Sequence, residues 1–143
     1  MTLPFAAGLN DALARHHDEL VDDLFDVIER QNERKAPEGR EIVHMSRDEI
    51  SQTIHGLRAV IAEALEGAGD ERRRHFFDTL FPGLRAAGVR LTDIIGMVPL
   101  LFVQITRAAV TNLPAGQRRD ATKWVAEFSF HYTLDVVRVW APE

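Results

Sequence analysis

The sequence predicts an all-α fold, and three observations carry the prediction. Apolar residues recur at steps of three and four through each long window, and no segment alternates apolar and polar residues as a half-buried strand would. Gly, Pro and short hydroxyl side chains fall between the periodic windows, where helices begin and end. At 143 residues the chain has the length of one domain with a real core, and residues 1–143 are expected to form a single domain.

The first predicted helix carries Leu9, Leu13, Leu20, Leu24 and Ile28 on one face, joined by Val21 and Phe25. Asp11, Arg15, Asp18, Asp22, Asp26 and Glu29 take the other face. Gln31 to Arg40 is polar, contains Pro37 and Gly39, and reads as a loop. Ser46 then caps a second helix, with Glu49 three residues on completing a capping box, and Ile50, Ile54, Leu57, Ile61 and Leu65 follow as its stripe. Gly67 and Gly69 end it. Asp70 opens a short third helix holding Phe76, Phe77, Leu80 and Phe81, which Pro82-Gly83 is expected to break, leaving a brief helical turn over Leu84 to Val89. Thr92 and Asp93 make an N-terminus for the next helix, running to about Asn112 and bent at Pro99. Pro114 starts a final helix that continues to Trp140.

That last helix has two apolar stripes. Val125, Phe128, Tyr132, Val136 and Val139 form one; Phe130, Leu134, Val137 and Trp140 form the other. Lys123, Glu127, His131, Asp135 and Arg138 are confined to a narrow third strip. A helix apolar over about two thirds of its circumference wants partners on two sides, and in a small domain a second copy of the chain supplies one. The expected homodimer interface comprises Val125, Phe128, Tyr132, Val136, Val139 and Trp140.

Composition excludes several function classes. Hydrophobic residues at 45% and charged residues at 27% place the chain among folded domains. Its 22 acidic against 17 basic side chains give a net charge of -5, which argues against a nucleic-acid binder. Arg72-Arg73-Arg74 follows Asp70-Glu71 and reads as a solvated helix start. Cysteine is absent, so no disulfide or thiolate chemistry is available, and the N-terminus lacks the basic start and apolar run of a signal peptide; the cytoplasm is the expected location. Leu91 to Val110 is the most apolar stretch, yet only thirteen residues separate Asp93 from Arg107. Burying either charge in a bilayer costs about 2.5–3.5 kcal/mol, so no membrane span is expected.

No catalytic motif is present: GxSxG, GxxxxGK[ST], GxGxxG and HExxH are all missing, and no enzyme activity is expected. His16 and His17 beside Glu19, Asp22, Asp23 and Asp26 lie opposite the apolar stripe and read as a solvated acidic face, with no metal site. His44 reads as a loop residue, His55 as a boundary residue and His131 as paired to carboxylates one turn away. His75 stands beside Phe76-Phe77, where it can face a pocket.

The segment LRAAGVRLTDIIGMVPLLFVQITRAAV, Leu84 to Val110, resembles the stretch before a long helix in the N-terminal sensory domains of RsbR-type stressosome proteins. Arg85, Ala86, Gly88, Val89, Leu91, Asp93, Ile94 and Ile95 carry the resemblance. It implies a globin-like helical fold without haem, dimeric through its late helices, placed ahead of a STAS domain in a cytoplasmic stress-signalling complex with anti-sigma pathway partners. Either an excised N-terminal module or a free-standing relative is then expected. Matching the step that follows the proximal histidine of haem-bearing globin sensors to Ala87-Gly88-Val89 puts Leu84 at the ligand position, and leucine cannot ligate iron. No cofactor is therefore expected. The alternative is a haem-binding gas sensor with His75 as ligand. In the leading reading, Phe76, Phe77, Phe81, Leu84, Leu101 and Phe102 form a core or pocket whose displacement shifts the final helices.

Overall fold

A computed structural model describes residues 3–35, 37, 45–67 and 69–140. Among the described residues the regular structure is helical: α1 (Ala6–Arg15), α2 (His17–Lys35), α3 (Arg47–Glu66), α4 (Glu71–Ala86), α5 (Leu91–Ala108) and α6 (Ala115–Trp140), with a 3-10 turn at Val110–Asn112 before α6. The fold is all-α, as the periodicity predicts.

The single N-terminal helix expected from Leu9 to Ile28 is two helices. The chain turns at His16, whose φ of -102° and ψ of 20° leave the helical region while its N–H still reaches the Ala12 carbonyl. The cause lies in the pattern: the stripe runs Leu9, Leu13 and then skips to Leu20, so His16-His17 stand where a core residue is due. The second half is longer than expected. α2 continues to Lys35, taking the first half of the predicted loop; the rest of that loop, apart from Pro37, and His44 lie outside the described residues.

α3 starts as read. The Glu49 N–H donates to Ser46 Oγ and the Ser46 N–H donates to Glu49 Oε1, each at 3.1 Å, satisfying two of the donors a helix N-terminus leaves open. Gly67 closes it with a φ of 69°, a left-handed conformation that costs glycine nothing.

Pro82 does not break the next helix. α4 runs unbroken from Glu71 to Ala86. Pro82 and Asp78 are both exposed, so the carbonyl that loses its helical partner turns to water. Meanwhile Phe77 and Phe81, 2% and 5% exposed, anchor the helix from the other side. The next helix also begins earlier than expected: Arg90 is its N-cap, and the Arg90 N–H donates to Asp93 Oδ2 at 3.0 Å, which puts Asp93 at the third helical position rather than at the start. Pro99 is exposed and α5 continues through it.

α3 packs on α1, α2 and α4, and α5 packs between α2 and α6. The short connection between α5 and α6 makes them antiparallel neighbours. Leu91–Asn112 is long and apolar enough to cross a membrane by length and composition, and 39% of its most apolar window is buried in the protein. Its inner face, with Ile94, Val98, Phe102 and Ile105, is core. An aromatic chain ties the late helices together. Phe77 stacks on Phe81 at 4.8 Å between centroids, meets Tyr132 edge-on at 5.3 Å, and Phe81 meets Trp140 at 5.0 Å; from α5, Phe102 meets both Phe128 and Tyr132 at 5.6 Å.

Candidate functional site

A small, partly open apolar chamber of about 80 Å³ lies where α2 to α6 converge. Leu24 and Ile28 from α2, Leu57 from α3, Val98 from α5, and Tyr132 and Val136 from α6 contribute to its wall. Of the six residues predicted to form a pocket, Phe76, Phe81, Leu84 and Leu101 line this chamber. Phe77 and Phe102 are buried behind it as packing aromatics. The contributions of α2 and α3 were not anticipated. Their signal was present in the stripes Leu20–Leu24–Ile28 and Ile50–Ile54–Leu57, which say only that a face is buried and leave open what it borders.

An open groove of about 820 Å³ lies outside the chamber, between α3 and α4. Met45, Thr53, Phe76, Leu80 and Leu84 border both spaces, so this layer is the partition between them. Phe76 is held in place by a close approach: a Cβ at Gly56 would stand 2.8 Å from its ring. The groove's outer rim is polar, with Glu49, Glu63, Glu71, Arg72 and His75.

That rim includes His75, the residue of the haem alternative. His75 is exposed and borders the groove, and it is absent from the chamber wall. Leu84, which the resemblance puts at the ligand position, lines the partition.

The predicted dimer interface is corrected. Val125, Phe128, Tyr132, Val136 and Trp140 are 1–7% exposed and form the inner face of α6; of the six, only Val139 is open, at 47%. Two stripes on one helix left undecided which of them faces inward. The outer stripe carries Phe130, at 62%, and Leu134, at 44%. Neighbouring α5 also exposes apolar side chains: Ile95, Leu100 and Val103.

α6 is joined to α4 by polar contacts at both ends of their crossing. Arg73 pairs with Asp135 at 3.1 Å, both about three-quarters buried. Arg85 donates to the Trp140 carbonyl and lays its guanidinium over the Trp140 ring, 4.7 Å from the centroid. Burial pushes the Tyr132 phenol above its ordinary range, with Arg73 opposing the shift, so the hydroxyl stays protonated.

A second constellation sits at the α1–α2 turn. His17 Nε2 is 2.8 Å from Ser51 Oγ, and Arg58 Nη1 is 3.2 Å from His17 Nδ1. Arginine can only donate, so Nδ1 of the neutral ring accepts and the ring proton sits on Nε2, which donates to Ser51. That tautomer has no free nitrogen facing the hydroxyl and does not form a nucleophile–base couple. Burial first, then Arg58 and His55, hold the His17 pKa below its ordinary value, against the opposing pull of Asp18. Sequence reasoning placed His17 on a solvated acidic face; the structure turns its ring onto α3. The acidic residues do stand together on α2: burial, and then the carboxylates Glu19, Asp26 and Asp22, raise the Asp23 pKa. Among the described residues no group of three potential metal ligands converges.

No family model, curated protein or solved structure matches this chain.

Proposed function

We propose that the chain is a sensory or regulatory signalling domain of the RsbR type: a non-enzymatic, globin-like module of a cytoplasmic stress-response protein. It acts as a homodimer and relays its signal through α6 to STAS-domain or anti-sigma pathway partners. The observation that supports this reading is the double duty of α6. Its inner face, through Tyr132 and Val136, walls the apolar chamber, while its outer face exposes Phe130 and Leu134. A change in what fills the chamber, or in how its wall packs, therefore acts on the same rigid helix that presents an apolar surface.

The dimer belongs on that outer surface, with Phe130, Leu134 and Val139 of α6 and Ile95, Leu100 and Val103 of α5 meeting their counterparts across a two-fold axis. Nucleic acid and membrane are not partners in this reading, and no cofactor is needed.

Light scattering coupled to size exclusion tests it. The wild type is expected at twice the mass of the chain, and Phe130→Glu with Leu134→Glu is expected at the monomer mass with unchanged helicity. A wild type that stays monomeric at every concentration overturns the dimer. Relay is read by NMR with xenon as the chamber probe: methyl resonances of Leu101 and Val136 shift first, and amides of Phe130 and Leu134 follow. Outer-face amides that ignore an occupied chamber overturn the relay.

A further inference from the structure

We infer that the pocket framed by His17, Ser51, His55 and Arg58 binds a small oxyanion, a phosphate or a phosphomonoester. The pocket has a volume of about 300 Å³ and is completed by Gln52, the one residue it shares with the α3–α4 groove. Ser51, His55 and Arg58 follow one another at steps of four and three, so α3 presents a hydroxyl, an imidazole and a guanidinium on one face, and His17 adds to the lining from α2.

Arg58 carries the inference. The chain has 22 acidic side chains, and Arg15, Arg47, Arg73, Arg74 and Arg138 each pair with a carboxylate. Arg58 is half-buried, and among the described residues it makes no ion pair; its contact is the imidazole of His17. A cation partly removed from water and set against a ring that can itself become cationic is an unfavourable arrangement in isolation. It becomes favourable when an anion lies against both groups, beside their contact. A guanidinium offers five N–H donors in a planar fork that suits phosphate oxygens, and one of them goes to His17. Ser51, His55 and the Gln52 amide supply further donors around the same space. The surrounding charges do not fill the role: Asp11 and Arg15 of α1 pair with each other, and His16 at the turn pairs with Glu19. Asp18 is the carboxylate that bears on His17, and it is exposed.

The site is coupled to protons. Arg58 and His55 disfavour a charged His17, and a bound oxyanion cancels that penalty. Ligand and proton therefore bind together, and affinity rises as pH falls through the titration of His17. This site is independent of the chamber and of the signalling role proposed above.

The test follows the ring resonances of His17 and His55 in the full chain. Inorganic phosphate is titrated against sodium chloride at matched ionic strength, at several pH values between about 5.5 and 7.5. Saturable shifts specific to phosphate are expected, with the His17 midpoint moving upward in its presence. Arg58→Gln is expected to weaken binding by about tenfold or more and Ser51→Ala by a few-fold, while Arg138→Gln on α6 leaves it unchanged. A parallel titration with phenyl phosphate separates the sources: equal binding assigns the site to a monoester, and binding of inorganic phosphate alone assigns it to the free ion. Shifts no larger than those in chloride overturn the inference, as does an Arg58→Gln protein that folds and binds phosphate like the wild type.

Discussion

Replacing Gly56 by alanine sets two opposed effects against each other where α3 crosses α4. The new Cβ would stand 2.8 Å from both Cδ1 and Cε1 of Phe76, inside van der Waals contact with a ring that forms part of the chamber's partition. Forcing a methyl group into a filled site costs about 1–3 kcal/mol. Alanine in place of glycine within a helix returns about 0.5–1 kcal/mol. The expected net result is a loss of about 1 kcal/mol, a fall of roughly 2–5 °C in Tm for a chain of this length. Gly83 is the internal control, since it lies within α4 and a Cβ there meets nothing within 4 Å. Gly83→Ala keeps only the favourable term and gains about 0.5–1 kcal/mol. Urea unfolding followed by circular dichroism should thus shift the two midpoints in opposite directions with the same slope. Adding Phe76→Leu removes the obstructing ring edge, and the cycle with Gly56→Ala should show a coupling of about 1 kcal/mol. A Gly56→Ala protein as stable as Gly83→Ala, or strictly additive double-variant energies, would refute the claim that this close approach is tightly packed.

Phe77 is 2% exposed and touches Phe81 and Tyr132, so Phe77→Ala is expected to cost about 3–5 kcal/mol, read from the same unfolding curves. Ser46→Ala removes the acceptor for the Glu49 N–H and should cost about 1 kcal/mol. The depressed pKa of His17 means that the unfolded chain binds its proton more readily. That part of the stability is complete above the unfolded value of about 6.5 and is lost as pH falls from there to the folded value. Urea midpoints at pH 7.5 and 5.5 should show this loss, and Arg58→Gln should shrink it. The raised pKa of Asp23 works the other way: its folded form holds the proton more tightly, so it adds stability as pH falls through its folded value, nearer the ordinary carboxylate range.

Helix content and both ends of α3 were legible because they depend on neighbours in sequence. The Ser46–Glu49 box and the Gly67 stop are local hydrogen-bond and backbone demands, and they came out as read. The failures came where tertiary surroundings decide. Pro82 is a helix breaker by local rules, but Phe77 and Phe81 hold α4 together on one side while water solvates the freed carbonyl on the other. The two stripes of α6 were both visible, yet their composition is so similar that only the position of α4 and α5 decides that Tyr132 points in and Phe130 points out. Phe76 and Phe81 were legible as pocket residues because their aromatic clustering is a sequence signal. The pairing of His17 with Arg58 was not, since 41 residues separate them. The face Ser51, His55, Arg58 was readable at helical spacing, and what it lacked was any hint that the turn at His16 delivers His17 to it.

The clasp of Arg85 on Trp140 has a consequence for the time course of amide exchange. Terminal turns ordinarily fray, because their last carbonyls are bonded to nothing but water. In α6 the last described carbonyl is held by a guanidinium from α4, and its own ring lies beneath that guanidinium against Phe81. Deuterium should therefore enter the final turn of α6 late, at the pace of the α4–α6 pair as a unit, and Arg85→Ala should release that turn to exchange first.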